Sequence, residues 1–114
     1  MQNADVKSSY YEGTLRFWLQ GEIDHHSAAM VRQKMDEGIF FHRPRVTVIN
    51  LFDIDFMDSS GLGLILGRYH KMQQLGGKLI LENPTREIDK ILRLAGVDKL
   101  IEIRRQDTME EKAE

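Results

Sequence analysis

The chain has 114 residues, with 16 Lys+Arg against 18 Asp+Glu and no cysteine. Such a length suits one hydrophobic core, and an apolar fraction of 41% with 30% charged residues fits a single folded domain over residues 1–114. The missing thiols exclude disulfide scaffolds, thiolate metal sites and cysteine nucleophiles, and a net charge of −2 speaks against a nucleic-acid binder, which would carry a basic stripe.

Residues 4–11 read as a strand that pairs with the next one through a turn at Glu12-Gly13. Residues 14–20 place Leu15, Phe17 and Leu19 on one face and end at Gly21, which predicts a second strand. Asp24 then caps a helix whose apolar positions are Ala28, Val31, Met35 and Ile39. Residues 45–51 are rich in β-branched side chains and have the length of a buried strand. After Asp58-Ser59-Ser60-Gly61 the period returns to helical, with Leu62, Ile65, Leu66, Tyr69 and Met72 as one stripe and Gly76-Gly77 as its stop. A short strand at 78–82 follows. A third helix at 85–95 carries Ile88, Ile91, Leu92 and Ala95, and a last short strand spans 100–103. Residues 107–114 are charged and read as a frayed helical turn or a disordered tail.

The predicted order is β-β-α-β-α-β-α-β, an α/β fold. Its sheet of four to five strands is mixed but mostly parallel, with helices packed on it, because parallel neighbours need crossover connections. No apolar run approaches the roughly 20 residues that span a bilayer. Residues 1–9 are polar and hold no signal-peptide core, so a cytoplasmic protein without membrane contact is expected.

The informative stretch is Phe56-Met57-Asp58-Ser59-Ser60-Gly61-Leu62-Gly63, between a strand and a helix at the edge where parallel sheets present functional groups. The plain reading makes Ser59 or Ser60 the helix cap. Two serines, an acidic neighbour and two glycines exceed what a cap requires. Gly61 and Gly63 leave the first turn open to another protein's backbone or a phosphoryl donor, and a helix N-terminus tolerates a phosphate. Nucleotide motifs fail: the glycines from Gly61 to Gly67 have the wrong spacing for a dinucleotide fingerprint, and no P-loop exists. No cofactor is predicted. His25, His26, His42 and His70 read as surface residues, and Asp53, Asp55 and Asp58 as a solvated loop rather than a cation site. A hydrolase using Ser60 is the weakest reading, because the nucleophile-elbow motif is absent.

Two segments, Gly21-Glu22-Ile23-Asp24-His25-His26 and Phe56 through Gly63, resemble the signature of the anti-sigma factor antagonists of the STAS domain family. With Leu64 through Tyr69 and Gly76-Gly77-Lys78, the likeness runs over residues 14–103 and is nearest to the sporulation members. Such members carry a further C-terminal helix, where this chain has only the charged run from Asp107.

The resemblance implies partner switching in transcription regulation. The unphosphorylated antagonist, a monomer and not an enzyme, binds an anti-sigma factor serine kinase and releases a sigma factor. Phosphorylation of the second serine, Ser60, breaks the complex, and a serine phosphatase restores it. The implied partner-binding residues are Asp24, Asp58, Ser59, Ser60, Gly61, Leu62 and Gly63, with Leu62 as an exposed apolar contact. The rival readings are a ligand- or nucleotide-binding STAS module of a transporter and a scaffold STAS subunit of a stress-signalling assembly.

Overall fold

The first two strands close through a tight turn. β1 (Asp5–Tyr11) and β2 (Thr14–Ile23) pair antiparallel, Tyr11 opposite Thr14. Glu12 and Gly13 both adopt positive φ, +47° and +87°, as a two-residue hairpin turn matching the strand twist requires. This is a computed structural model, and it describes residues 4–106. The tail predicted at 107–114 lies outside them.

The chain continues through α1 (Ala28–His42), β3 (Val46–Met57), α2 (Ser59–Gln74), β4 (Lys78–Glu82), α3 (Arg86–Leu94), a short 3-10 turn (Val97–Lys99) and β5 (Glu102–Arg104). The five strands lie in sequence order, and the pairs β2/β3, β3/β4 and β4/β5 are parallel. The fold is the mixed, mostly parallel sheet with three helices that the sequence pattern predicts. Leu15, Phe17 and Leu19 of β2, with Ile49, Leu51, Leu79 and Leu81, form one core with the buried stripes of the helices. Those stripes are Val31, Met35 and Ile39; Leu64, Ile65 and Met72; and Ile88 and Leu92. No helix among the described residues is long and apolar enough to cross a membrane.

The last strand begins at Glu102 rather than at residue 100, because the 3-10 turn over Val97–Lys99 takes Leu100 as its C-cap, and three further features differ from the sequence reading. β2 does not end at Gly21: it absorbs two register shifts, between Trp18 and Gln20 and between Gly21 and Glu22, and runs on to Ile23. Gly21, with φ +91°, passes through a conformation that favours glycine, so it bends the strand rather than stopping it. β3 extends to Met57, well past Leu51. Only Val46 to Asn50 pair with β4, and the remainder runs beside β2 alone, which carries the strand end beyond the sheet. The break of alternation at Phe52, Asp53 and Asp55 looks like loop in the sequence because these residues are exposed on that overhang.

The third correction concerns Asp24. It does not cap α1, whose N-cap is Ser27. Instead Asp24 closes the turn before it: its carboxylate accepts from the backbone N–H groups of His26 and Ser27 at 2.9 and 3.0 Å. The Ser27 hydroxyl accepts from the Asp24 N–H at 3.0 Å and donates to the Glu22 carbonyl at 2.7 Å.

Candidate functional site

The parallel register places Ile23 opposite Met57, so the loops leaving β2 and β3 start side by side. The Asp58 N–H donates to the Ile23 carbonyl at 3.3 Å and joins the two loops directly. Asp24 and Asp58 are therefore the residues immediately beyond two paired strand ends. The structure thus brings two of the implied partner-binding residues together at one edge of the sheet.

Asp58 is the N-cap of α2. Its backbone is extended, and its side chain accepts from the Ser60 N–H at 2.8 Å. Its carbonyl receives the N–H groups of Gly61 and Leu62 at 3.0 and 3.3 Å. Neither Ser59 nor Ser60 is the cap, which corrects the plain reading of the serine pair. A carboxylate takes the cap and complements the partial positive charge of the helix start. Both serine hydroxyls are thereby relieved of a capping duty. Ser59 is exposed in the first helical turn. Ser60 is half-buried beside a hollow that His25, Ala28, Ala29 and Arg32 line from the α1 side, and Gly63 and Leu64 from α2.

The two glycines differ. Gly63 is exposed, and an added Cβ would meet nothing within 4 Å. Gly61 is buried, and a Cβ there would fall 2.1 Å from Cγ of Met57 and 3.3 Å from Cγ2 of Ile23. Gly61 thus keeps α2 close to the end of β3; openness to an outside partner belongs to Gly63. Leu62 is half-buried and packs against the core, so it is not the freely exposed contact that the sequence suggested.

The Asp24 carboxyl is held below the ordinary carboxylate range, first by the Ser27 N–H, then by the His26 N–H and the Ser27 hydroxyl. The turn is built around an ionised Asp24. His25 and His26 are exposed and stand edge to face, their ring centroids 5.7 Å apart. Among the described residues no three histidine, aspartate or glutamate side chains converge on a metal-sized site. Sequence reasoning missed Met57 and Ile23 as the packing partners of Gly61, and Arg32 as a neighbour of Ser60. These depend on the register between β2 and β3 and on helix packing, which no local pattern displays.

Known proteins are similar to this chain in sequence and in fold. An anti-sigma F factor antagonist of Paenibacillus polymyxa is 38% identical over 101 residues, covering 89% of this chain and 86% of the relative. An anti-sigma-B factor antagonist of Bacillus subtilis is 31% identical over 105 residues, with 89% of each covered. The solved structure of the anti-sigma factor antagonist SpoIIAA in its unphosphorylated form superposes with a TM-score of 0.76 at 27% identity, over 96% of both chains. The phosphorylated form of the Bacillus protein SpoIIAA gives 0.70, over 96% of this chain and 100% of that one. Residues 6–111 match the STAS domain, and the chain belongs to the STAS domain family.

Proposed function

We propose that this protein is an anti-sigma factor antagonist that works as a reversible charge switch. Unphosphorylated and monomeric in the cytoplasm, it binds an ATP-dependent anti-sigma factor kinase and so frees a sigma factor. Phosphorylation within the Ser59-Ser60 pair ends the complex, and a serine phosphatase restores the binding form. The protein acts as ligand and substrate, not as catalyst. The relatives named as antagonists, and the SpoIIAA structures in both phosphorylation states, support this reading.

The observation that carries it is the pair of serines released from capping by Asp58 and displayed at the start of α2. Phosphorylation adds about −1.5 to −2 charge and three acceptor oxygens. Within the domain the helix N-terminus offsets part of that charge, so the fold survives. At a packed interface the same group brings bulk and an unpaired charge that costs several kcal/mol. Each ~1.4 kcal/mol is a tenfold loss of affinity, so one modification switches the complex off without refolding.

Resemblance points to Ser60 as the acceptor. Exposure favours Ser59, since a kinase must seat the hydroxyl in its own active site and Ser60 is half-buried beside α1. The test is to incubate the parent, Ser59→Ala and Ser60→Ala with ATP and the anti-sigma factor kinase of the same genome, and to count added phosphates by mass spectrometry. The parent takes one phosphate, and one alanine variant takes none while still binding the kinase. Modification of both single variants at the parent's rate would place the switch elsewhere. If the parent is neither bound nor modified, the reading fails.

A further inference from the structure

The face of α1 turned away from the sheet lies beside α2 and forms a trough of about 1000 Å³. Apolar groups line it: Met30 and Phe40 on α1 and Leu75 at the end of α2, with Phe40 75% exposed. Arg32, Arg43 and Lys71 stand around these groups. None of the three cations has an ion-pair partner among the described residues. The Arg43 guanidinium lies 5.6 Å from the centre of the Phe40 ring. Of the two carboxylates present, Asp36 is committed to the buried guanidinium of Arg68 at 3.1 Å, and Glu37 accepts from Gln33 at 3.3 Å. With Asp36 balanced by Arg68, the three cations Arg32, Arg43 and Lys71 face the one carboxylate of Glu37, which leaves this region positive on a chain whose net charge is −2. The trough also shares Ala29 and Arg32 with the hollow beside Ser60, so the two adjoin on the same face of α1.

Resting on the function proposed above, we propose that the trough is a second half of the partner interface, occupied by an acidic, amphipathic helical segment of the anti-sigma factor kinase. From Met30 to Phe40 the helix rises about 15 Å, roughly three turns, which suits a helix laid along a groove by its apolar stripe. Carboxylates on the segment's flanks meet Arg32, Arg43 and Lys71, and its apolar side chains meet Met30, Phe40 and Leu75. The hollow beside Ser60 carries the switch. The trough end supplies affinity and selects a partner by charge.

The test compares binding of the nucleotide-loaded kinase of the same genome to the parent, Phe40→Ser, the double variant Arg43→Glu/Lys71→Glu and Leu94→Ser. Leu94 is 80% exposed on α3, outside the trough, and serves as the control. The double variant is expected to lose at least tenfold in affinity and Phe40→Ser about tenfold, with Leu94→Ser unchanged. Both trough variants binding within twofold of the parent, while Ser59→Asp or Ser60→Asp weakens the complex, would overturn this inference and leave the charge switch standing. Tighter binding on charge reversal would also overturn it, since the segment would then be basic. A parent that forms no complex removes both proposals. Hydrogen exchange on the parent complex covers the case of a misfolded variant. Slowing along 29–43 and 71–75 supports the trough, and slowing confined to 22–28 and 58–64 rejects it.

Discussion

The N–H of Asp58 donates to the carbonyl of Ile23 at 3.3 Å, so the start of α2 is tied to the end of the neighbouring strand. The same residue's side chain holds the Ser60 N–H at 2.8 Å. One aspartate therefore sets both where the serines begin and how the first turn is wound. Asp58→Ala leaves the Ser60 N–H without its acceptor and should lower stability by about 1 kcal/mol, while Asp58→Asn, which keeps an acceptor oxygen, should cost only a few tenths. Urea denaturation of the two variants checks this. Equal losses would show that the carboxylate's charge, not its hydrogen bond, is what matters.

Asp24 gives a pH signature. Its folded pKa is depressed, chiefly by the Ser27 N–H, so its contribution is fully present above the ordinary aspartate value of about 3.9 and is lost as pH falls through the lower folded value. The expected outcome is a carboxyl titration, followed by NMR, with its midpoint below that of a model peptide. The amide shifts of His26 and Ser27 should move with the same midpoint. Asp24→Asn should remove this titration and leave the amide shifts flat over the window. A midpoint at the ordinary value would show that the two N–H bonds are not formed in solution.

Much of this was legible in the sequence because it is local. The apolar spacing of Val31, Met35 and Ile39, that of Ile88, Ile91 and Leu92, and the glycine stop at Gly76-Gly77 announce elements through contacts within a few residues. The structure adds a cap that the sequence reading does not name: the Thr85 hydroxyl accepts from the Ile88 N–H at 3.3 Å. The misplaced features are those that depend on the exact path of the chain where a strand hands over to a helix, which residue periodicity does not display. Asp24 has the composition of a helix cap, but a three-residue turn locked by Ser27 and the Glu22 carbonyl intervenes before α1. Gly61 and Gly63 look equivalent in sequence, and only the position of Met57 beneath one of them separates their roles. The serine pair was recognised, but its division into one exposed and one half-buried hydroxyl follows from α1 lying alongside.

Arg68 and Asp36 clamp α2 to α1. The guanidinium is largely buried, with its Nε 3.1 Å from Asp36 Oδ1, and neither Nε nor Nη1 makes a hydrogen bond of good geometry. Burial pulls the Arg68 pKa down and Asp36 opposes that shift, so the cation depends on this one carboxylate. Asp36→Ala should therefore cost about 2 kcal/mol, a figure reduced from the fully buried case because Asp36 is partly exposed. Arg68→Met removes both the charge and its need for a partner, and should cost less. The double variant should resemble Arg68→Met rather than the sum of the two. Additive losses in thermal unfolding would contradict the clamp.

The glycines separate stability from recognition. Gly61→Ala gains helix propensity of up to about 1 kcal/mol, but its methyl must displace Met57, and overpacking of that kind costs about 1–3 kcal/mol. Gly61→Ala should therefore lower the melting temperature. Gly63→Ala and Gly67→Ala meet no atom within 4 Å and should each raise stability by about 0.5–1 kcal/mol through propensity alone. They should part company when the kinase is added. Gly67 lies about one turn further along α2, outside the hollow beside Ser60, and should leave affinity unchanged, whereas the methyl at Gly63 stands beside Ser60 and should weaken the complex. A more stable protein that binds less well is the signature of a glycine kept for its partner rather than for its fold. Equal binding by both variants would assign Gly63 no part in recognition.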